Sequence, residues 1–312
     1  MPSNKPVLFL CNHQNALLDA LLIATQYDRF SYFLTRAGVF KRPFVSKLLH
    51  SLQMLPVYRV RDGWNNISNN NSIFNSCSEL LRKGEVVVIF PEGGHNLMRS
   101  VRPLSKGFTR IVFDTLEKYP ETDLQIVPIG LNFKKAERFP DSVSLFFGES
   151  LSAHDFISES RHGAVKDLKS RIHSEISRLT TNIPLSSYDQ DLEKLEALNV
   201  NFLNPQEVNN CIKNNFVGCK GKLKSNLKLL KLFFKGLFIL NTFIPYFVWK
   251  CIAQPKIKEI EFTSTFRFAI AVTLIPFYLL IVIVVITMLL SFKIALMYLL
   301  FVLVLALLTS KL

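Results

Sequence analysis

A histidine and an acidic residue near the start of the chain have the spacing of a general-base pair. His13 follows an apolar run from Val7 to Leu10, and Asp19 lies six positions further on. A carboxylate bonded to one imidazole nitrogen fixes the tautomer and leaves the other nitrogen to take a proton from a hydroxyl. A pair this close also occurs by chance, so for these two residues alone helix capping or simple hydrogen bonding is the more common explanation.

A second group of chemically suggestive residues follows the apolar run Val86–Ile89. There the chain reads Phe90-Pro91-Glu92-Gly93-Gly94-His95. Glycines let backbone N–H groups approach an anion closely, which favours a ligand-binding loop containing Glu92, Gly93 and Gly94. An ordinary Gly-Gly turn beside a solvated glutamate is the alternative.

Polar and basic residues lie at comparable points of the chain. Asn12 precedes His13, and Arg59 ends another apolar stretch. An arginine can hold a phosphate through two N–H groups, although a single arginine is more often a surface charge. Lys106 stands immediately before a predicted helix, where the helix N-terminus and the ammonium group both favour an anion. We therefore take Asn12, Arg59 and Lys106 as candidate substrate-binding residues.

These residues require a framework that brings strand ends together, and the sequence pattern predicts one. Short apolar runs alternate with amphipathic stretches, which indicates an α/β fold with a mainly parallel sheet covered by helices on both faces. The carboxyl ends of such strands form the edge where ligands bind. The segment Val127-Pro128-Ile129-Gly130 predicts a strand broken near that edge. Predicted strands are Val7–Cys11, Phe30–Leu34, Met54–Tyr58, Val86–Phe90, Leu124–Leu131 and Val143–Phe147; predicted helices are Ala16–Thr25, Pro43–Leu52, Ser72–Arg82, Gly107–Lys118, Ala164–Leu179 and Tyr188–Leu198.

The C-terminal part of the chain has the composition of membrane sequence. Phe268 to Leu290 is uncharged and, at 1.5 Å per residue, long enough to cross a hydrocarbon core of about 30 Å. The uncharged run Ile294 to Leu308 is shorter, so it either spans or is re-entrant, and a helical hairpin is predicted. Gly236 to Trp249 mixes aromatic and polar residues, which favours the membrane interface over a buried core helix.

The net charge and the cysteine content indicate the cellular compartment and the classes of binding partner to expect. The net charge is +13, and seven lysines with no acidic residue lie between Asn210 and Lys235, which indicates attraction to anionic lipids and a cytoplasmic side. Basic charge also suits nucleic acid, but no nucleic-acid motif accompanies it, so we expect no such partner. The five cysteines include no CxxC pair or metal-ligand spacing. We therefore expect no structural zinc and a reducing compartment, and no signal peptide fits before the first strand.

The predicted organisation has three parts. Residues 1–200 form a catalytic α/β domain and residues 201–235 a basic helical linker. Residues 236–312 interact with the membrane, with about 236–251 at the interface and 268–290 and 294–308 spanning or re-entrant.

Taken together and in order, four blocks resemble the phospholipid and glycerol acyltransferase family. They are Asn12-His13 with Asp19, Pro56-Val57-Tyr58-Arg59, Phe90-Pro91-Glu92-Gly93, and Val127-Pro128-Ile129-Gly130-Leu131-Asn132. The resemblance covers roughly residues 5–150, and a weaker likeness extends to residues 261–268, which are similar to the membrane-entry segment of glycerol-3-phosphate acyltransferases. It implies that His13 is the general base, Asp19 its orienting partner, Arg59 a phosphate ligand, and Glu92 and Gly93 part of the acceptor loop. It further implies an acyl thioester on coenzyme A or acyl carrier protein as co-substrate, with no metal and no cofactor.

The sequence departs from the family pattern at two points. Four residues usually separate the histidine from the aspartate, whereas here there are five, Gln14 to Leu18. The third block usually continues Gly-Thr-Arg-Ser, but here Gly94, His95 and Asn96 follow Gly93. Arg99, Arg102 or Lys106 would then have to supply the missing positive charge.

The sequence as a whole predicts a membrane-associated O-acyltransferase with its catalytic domain on the cytoplasmic face. Its acceptor would be glycerol-3-phosphate or lysophosphatidate, and it would act in phospholipid biosynthesis. An acyltransferase for another lipid hydroxyl is one alternative. A non-catalytic, membrane-anchored lipid-binding protein is the other, and in that case the altered spacing would leave His13 and Asp19 more than about 4 Å apart.

Overall fold

The structure is a computed structural model that describes residues 4–59, 68–221 and 227–311. The lysines at positions 222 and 224 of the predicted basic linker lie outside the described residues, as does the side chain of Lys228. The chain divides into two compact units. The first consists of Met1–Gln14, Asp19–Asn132 and Val143–Lys220, and the second of Asn15–Leu18, Phe133–Ser142 and Gly221–Leu312.

The first unit is built on a seven-stranded sheet with the order β3-β2-β4-β1-β5-β6, to which β7 adds by pairing with β5. β1 is parallel to both β4 and β5, and β2 is parallel to β3 and β4, whereas β7 runs antiparallel to β5. The strands are β1 (Val7–Cys11), β2 (Ser31–Arg36), β3 (Met54–Val57), β4 (Val86–Ile89), β5 (Gln125–Phe133), β6 (Val143–Phe147) and β7 (Leu151–Ser152).

Helices cover this sheet, which confirms the predicted fold class. The continuous apolar runs of β1 and β4 are buried along their whole length, as strands covered on both faces require. Side chains from α4 and α5, including Phe108, Ile111 and Leu168, complete the main core. The helices are α1 (Ala16–Gln26), α2 (Pro43–Ser51), α3 (Asn70–Arg82), α4 (Gly107–Lys118), α5 (Arg161–Leu179), α6 (Tyr188–Ala197) and α7 (Pro205–Lys213).

The register of the two central strands sets the height of the loops that follow them. Leu10 of β1 stands opposite Ile89 of β4. His13 comes two residues after β1 ends and Glu92 three residues after β4 ends. Both residues therefore leave the sheet at the same edge, from neighbouring strands.

One expectation about the first unit is corrected. The predicted break in the strand at Pro128 and Gly130 is wrong, because β5 continues through both residues to Phe133. Residues 205–213 lie in the predicted basic helical linker and form α7, whose Val208 and Cys211 join a second buried cluster with Leu195.

Two of the cysteines form a disulfide. Cys211 and Cys219 are bonded, whereas Cys11, Cys77 and Cys251 are free. The expected reducing compartment does not favour such a bond, since disulfides persist mainly in oxidising environments.

The second unit contains two helices that are long and apolar enough to cross a membrane, Ile260–Leu289 and Phe292–Lys311. They form the predicted hairpin, built from α10 (Thr263–Leu289) and α11 (Phe292–Lys311). At 20 residues, α11 is about 30 Å long, so the second arm has the full length of a crossing instead of the shorter run predicted.

A bent helix pair precedes the hairpin, where the sequence predicted an interfacial segment. Its two parts, Leu229–Asn241 and Phe243–Lys256, meet at 100°. They include α8 (Lys228–Asn241) and α9 (Phe243–Phe247). If the bent pair is counted as one span, the described residues contain up to three candidate crossings.

Hydrogen bonds join the segment Phe133–Ser142 to the base of α10 within the second unit. The carbonyl oxygen of Ala136 accepts from the Ser264 hydroxyl at 2.5 Å and from Asn15 Nδ2 at 3.1 Å. Arg267 Nη2 donates to the Glu137 carbonyl at 2.9 Å, and its guanidinium lies 5.1 Å from the centre of the Trp249 ring. Hydrogen bonds from Ser264 and Arg267 thus hold the start of α10 against the segment Phe133–Ser142.

Candidate active site

His13 and Asp19 are hydrogen-bonded. His13 Nδ1 lies 2.7 Å from Asp19 Oδ2, and the Gln14 amide donates to the same carboxylate oxygen at 2.8 Å. The Asp19 side chain is fully buried, and that of His13 is 16% exposed. The distance that would have marked a separated, non-catalytic pair, about 4 Å or more, is not observed.

The chain between His13 and Asp19 makes a tight turn as it enters α1. Ala16, the first residue of α1, has a φ of +42°, a left-handed conformation that alanine rarely adopts. The Leu18 amide donates to the Asn15 carbonyl at 3.0 Å and closes the turn. Asp19 consequently falls on the first turn of α1, from which its carboxylate reaches His13.

The imidazole of His13 is held by two rings of the loop after β4. Phe90 stacks on it with ring centres 4.1 Å apart and planes inclined by 18°. His95 meets it edge-on at 5.6 Å. The Asn96 amide donates to the His13 carbonyl at 2.9 Å. Because Nδ1 faces Asp19, the partly exposed ring presents Nε2, for which no hydrogen bond is found among the described residues.

Glu92 lies in the same loop and is paired with an arginine. Arg102 Nε donates to Glu92 Oε2 at 2.7 Å, and Arg102 Nη2 also donates to the Gly94 carbonyl. The Glu92 side chain is only 5% exposed. Gly93 has a φ of +71°, which glycine adopts without strain, and its amide closes a turn on the Phe90 carbonyl at 3.2 Å.

The other predicted basic residues take different positions. Arg59 Nη1 lies 3.5 Å from the Gly93 carbonyl, which places this half-buried side chain beside the loop. Lys106 is exposed and immediately precedes α4, as predicted. The Arg99 guanidinium lies 4.0 Å from the centre of the Phe202 ring. Arg102, one of the three residues considered as replacements for the family arginine, contacts both Glu92 and Gly94 of the loop.

The Cys11 thiol is affected by the carboxylates of both Asp19 and Glu92. Its thiol is fully buried, and this burial raises the pKa well above the ordinary value. The negative charges of Asp19 and Glu92 raise the pKa of Cys11 further. Both carboxylates therefore lie near the buried end of β1.

Asn12 has a different position from the one predicted for it. Its Nδ2 donates to the Leu131 carbonyl at 2.9 Å, and its Oδ1 accepts from the Leu131 amide at 2.7 Å. Asn12 is buried, with only 4% of the residue exposed. We therefore assign Asn12 to holding the end of β1 against β5 instead of to contact with a substrate.

Sequence reasoning gave no role to Phe90 or His95. Both belong to the block that singled out Glu92, so the signal was present, but their contacts with His13 depend on the pairing of β1 with β4. Their position identifies the loop after β4 as a wall for the imidazole as well as a carrier of the glutamate.

Comparison with known proteins decides the family of this site. The family model described as "Acyltransferase" matches residues 1–132, which include His13, Asp19, Arg59 and Glu92. Residues 1–132 belong to the acyltransferase family. The two bonded side chains and the loop after β4 are thus parts of an acyltransferase domain.

Individual proteins are similar to this acyltransferase domain over a limited length. The chain is 25% identical over 127 residues to glycerol-3-phosphate O-acyltransferase 1 of Saccharomyces cerevisiae, a match covering 39% of this chain and 16% of that protein. It is 25% identical over 129 residues to a chloroplastic 1-acyl-sn-glycerol-3-phosphate acyltransferase of Brassica napus, covering 41% of this chain and 33% of that protein. The chain thus spans at most a third of the length of these relatives.

A solved structure is also similar. It is a 1-acyl-sn-glycerophosphate acyltransferase from Thermotoga maritima, 16% identical, with a TM-score of 0.40. The match covers 57% of this chain and 68% of that one.

Proposed function

We propose that this protein is a membrane-bound O-acyltransferase that transfers a fatty acyl group from a thioester to a hydroxyl of glycerol-3-phosphate or lysophosphatidate. The observation that carries the proposal is the 2.7 Å hydrogen bond between His13 Nδ1 and Asp19 Oδ2. An ionised carboxylate only accepts, so Nδ1 carries the hydrogen and Nε2 is the basic nitrogen. Stacking on Phe90 holds the ring that carries this nitrogen.

The reaction needs one proton to leave and return. His13 Nε2 takes the proton from the acceptor hydroxyl as its oxygen attacks the thioester carbonyl. The tetrahedral intermediate then collapses, the carbon–sulfur bond breaks, and the thiolate leaves. The imidazolium, stabilised by Asp19, returns the proton to the thiolate, so the enzyme ends as it began and no acyl-enzyme is formed.

The basic residues around the loop suit an acceptor that carries phosphate. Arg59 lies beside the Gly93 carbonyl, and Lys106 is exposed at the start of α4. We assign the phosphate to Arg59, because it lies beside the loop of Gly93 and a guanidinium can hold a phosphate through two N–H groups. Glu92 and Gly94 hold Arg102 in place and so shape the loop, while Gly93 provides its turn.

The membrane elements fit a lipid product. The two long apolar helices would hold the chain in a bilayer, and the lysines between Asn210 and Lys235 would attract anionic lipids on the cytoplasmic face. The donor would be acyl-CoA or acyl carrier protein, with no metal or cofactor in the chemistry.

A matched panel of acceptors tests this proposal. The purified full chain in lipid nanodiscs would receive labelled acyl-CoA or labelled acyl carrier protein. Each phosphorylated acceptor would be paired with its phosphate-free counterpart: glycerol-3-phosphate with glycerol, and lysophosphatidate with monoacylglycerol. We expect an ester product with at least one phosphorylated acceptor, and about 100-fold or more faster transfer than to its counterpart, because an Arg–phosphate contact would be lost.

Equal rates with and without the phosphate would contradict the assignment of the acceptor class. Transfer to another lipid hydroxyl would keep the reaction and replace the acceptor. Absence of transfer to every acceptor from both donors would contradict the enzyme assignment itself.

A further inference from the structure

We propose that α2 and the residues flanking it form a lipid-binding surface, by which the first unit contacts an anionic bilayer independently of the helices of the second unit. We call this surface the α2 patch and define it by six residues: Lys41, Arg42, Phe44, Lys47, Leu48 and Leu52. It lies outside the site formed by His13 and Asp19, and the proposal does not rest on acyl transfer.

The α2 patch exposes large apolar side chains that are not packed into the core. Phe44 is 80% exposed, Leu48 49% and Leu52 47%. Their spacing of four residues places them on one side of the helix and its end. None of the residues of α2 is buried. Large apolar side chains exposed together on one helix face indicate a surface that binds another molecule or a membrane.

Positive charge surrounds these apolar residues. Lys41, Arg42 and Lys47 are all exposed. No acidic residue occurs in the sequence between Asp28 and Asp62, so the segment that contains the α2 patch is purely basic in its charged side chains. Lysine and arginine are attracted to an anionic leaflet, and their long stems can lie along apolar surface.

A groove beside the aromatic side chain adds a place for a polar headgroup. It is lined by Pro43, Phe44, Ser46, Lys47 and His50, and it is open to solvent. The hydroxyl, the ammonium group and the imidazole can all contact a phosphate, whereas Phe44 beside them is apolar. Within about one helical turn, the groove therefore has both an apolar side chain and side chains that can bind an anion.

A bilayer fits these features better than a protein partner does. The arrangement of a protruding aromatic, two leucines and three cations on a short helix is that of an interfacial segment. The described residues also include two helices long and apolar enough to cross a membrane, and these would tether the first unit to a lipid surface. An acidic protein would match the charge alone, and the experiment distinguishes it.

The test places a polarity-sensitive label at the centre of the α2 patch. Phe44→Cys would be made in a Cys251→Ser background, because Cys251 is the exposed one of the three free cysteines in the described part of the chain. Leu185→Cys provides a matched control: Leu185 is an apolar residue of the first unit that is 60% exposed and is followed by Asp189 and Asp191. Each labelled full chain would be reconstituted in phosphatidylcholine vesicles containing about 30 mol % phosphatidylglycerol, with or without lipid-borne nitroxide quencher.

We expect the label at position 44 to shift to the blue and to be quenched at least about threefold more strongly than the label at position 185. Replacing phosphatidylglycerol by phosphatidylcholine, or combining Lys41→Glu with Lys47→Glu, should reduce that quenching by about half or more. Both labelled sites are exposed, so the substitutions should leave folding unchanged, which a melting curve verifies.

Equal quenching at the two positions would overturn the proposal. So would a label at position 44 that stays in water in vesicles but shifts when acyl carrier protein is added, since the occupant would then be a protein.

Discussion

At the scale of single residues, Glu92 is a carboxylate with little water contact, and Arg102 is the side chain that balances it. Their side chains are 5% and 29% exposed, and the bond between them is 2.7 Å long. Removing one member of a buried pair leaves the other charge without compensation, which costs more than the pair itself contributes. Arg102 therefore stabilises the loop that also supports the His13 ring.

Arg102→Met should lower the free energy of unfolding by roughly 3 kcal/mol, because the buried Glu92 carboxylate loses its cation. Thermal or denaturant unfolding in detergent measures the loss, and the double variant with Glu92→Gln should recover part of it. Arg161→Met is the matched control: Arg161 pairs with Asp114 and Glu117 but is 44% exposed, so a change of at most about 1 kcal/mol is expected. If Arg102→Met and Arg161→Met lose the same free energy of unfolding, the buried Glu92–Arg102 pair stabilises the protein no more than an exposed ion pair does.

The sequence predicted the pair His13 and Asp19 but not how the chain closes it. Their spacing and the four family blocks identified them, and the 2.7 Å contact agrees. The left-handed turn at Ala16 was not predictable, because alanine does not favour that conformation and only the surrounding fold imposes it. Arg102 was one of three candidates, and the choice among them depends on contacts between segments distant in the sequence.

At the scale of elements, the approach of β5 to the end of α5 depends on a glycine. A Cβ atom on Gly130 would lie 2.2 Å from the Leu179 carbonyl oxygen and 2.5 Å from the Leu179 Cβ. Both distances are far below van der Waals contact, and one of the atoms is backbone. The close packing of strand and helix is therefore available only to glycine at this position.

Gly130→Ala should lower the free energy of unfolding by about 1–3 kcal/mol, since strand and helix must separate to admit the methyl group. Gly163→Ala in α5 is the matched control, because its Cβ would meet Ser160 at an ordinary 3.6 Å. That substitution should be neutral or stabilise by up to about 1 kcal/mol. Unfolding midpoints of the two variants compare them, and a Gly130→Ala protein as stable as Gly163→Ala would contradict the packing argument.

The prediction of elements succeeded where a continuous apolar run or a clear amphipathic period decided them. The bounds of β1, β6 and α4 agree with those predicted. In the other predicted strands and helices of the first unit, no end differs from the prediction by more than three residues. The prediction of a break in the strand that contains Pro128 was wrong. Proline lacks the N–H of a ladder bond, but Pro128 keeps its register opposite Leu10, and its carbonyl accepts from the Gly148 amide at 2.8 Å.

At the scale of the whole molecule, an α/β acyltransferase domain and a membrane-type helical part share one chain. The sequence predicted both from a change in composition. It did not predict that Phe133–Ser142 would group with the C-terminal part, because that depends on contacts such as Ser264 with Ala136, more than a hundred residues apart. Nor did cysteine spacing predict the disulfide between Cys211 and Cys219, which the turn after α7 brings together.

The central claim is that the imidazole of His13 takes the proton from the acceptor, and the turnover number of His13→Ala tests it most directly. His162→Ala is the matched control, because His162 is an exposed histidine on α5 of the same unit. With each protein in nanodiscs and a saturating acceptor identified from the panel, we expect His13→Ala to lose about 100- to 10,000-fold in kcat while its melting temperature stays near that of the parent protein. His162→Ala should keep the parent rate. A folded His13→Ala protein that transfers the acyl group as fast as His162→Ala would contradict the account.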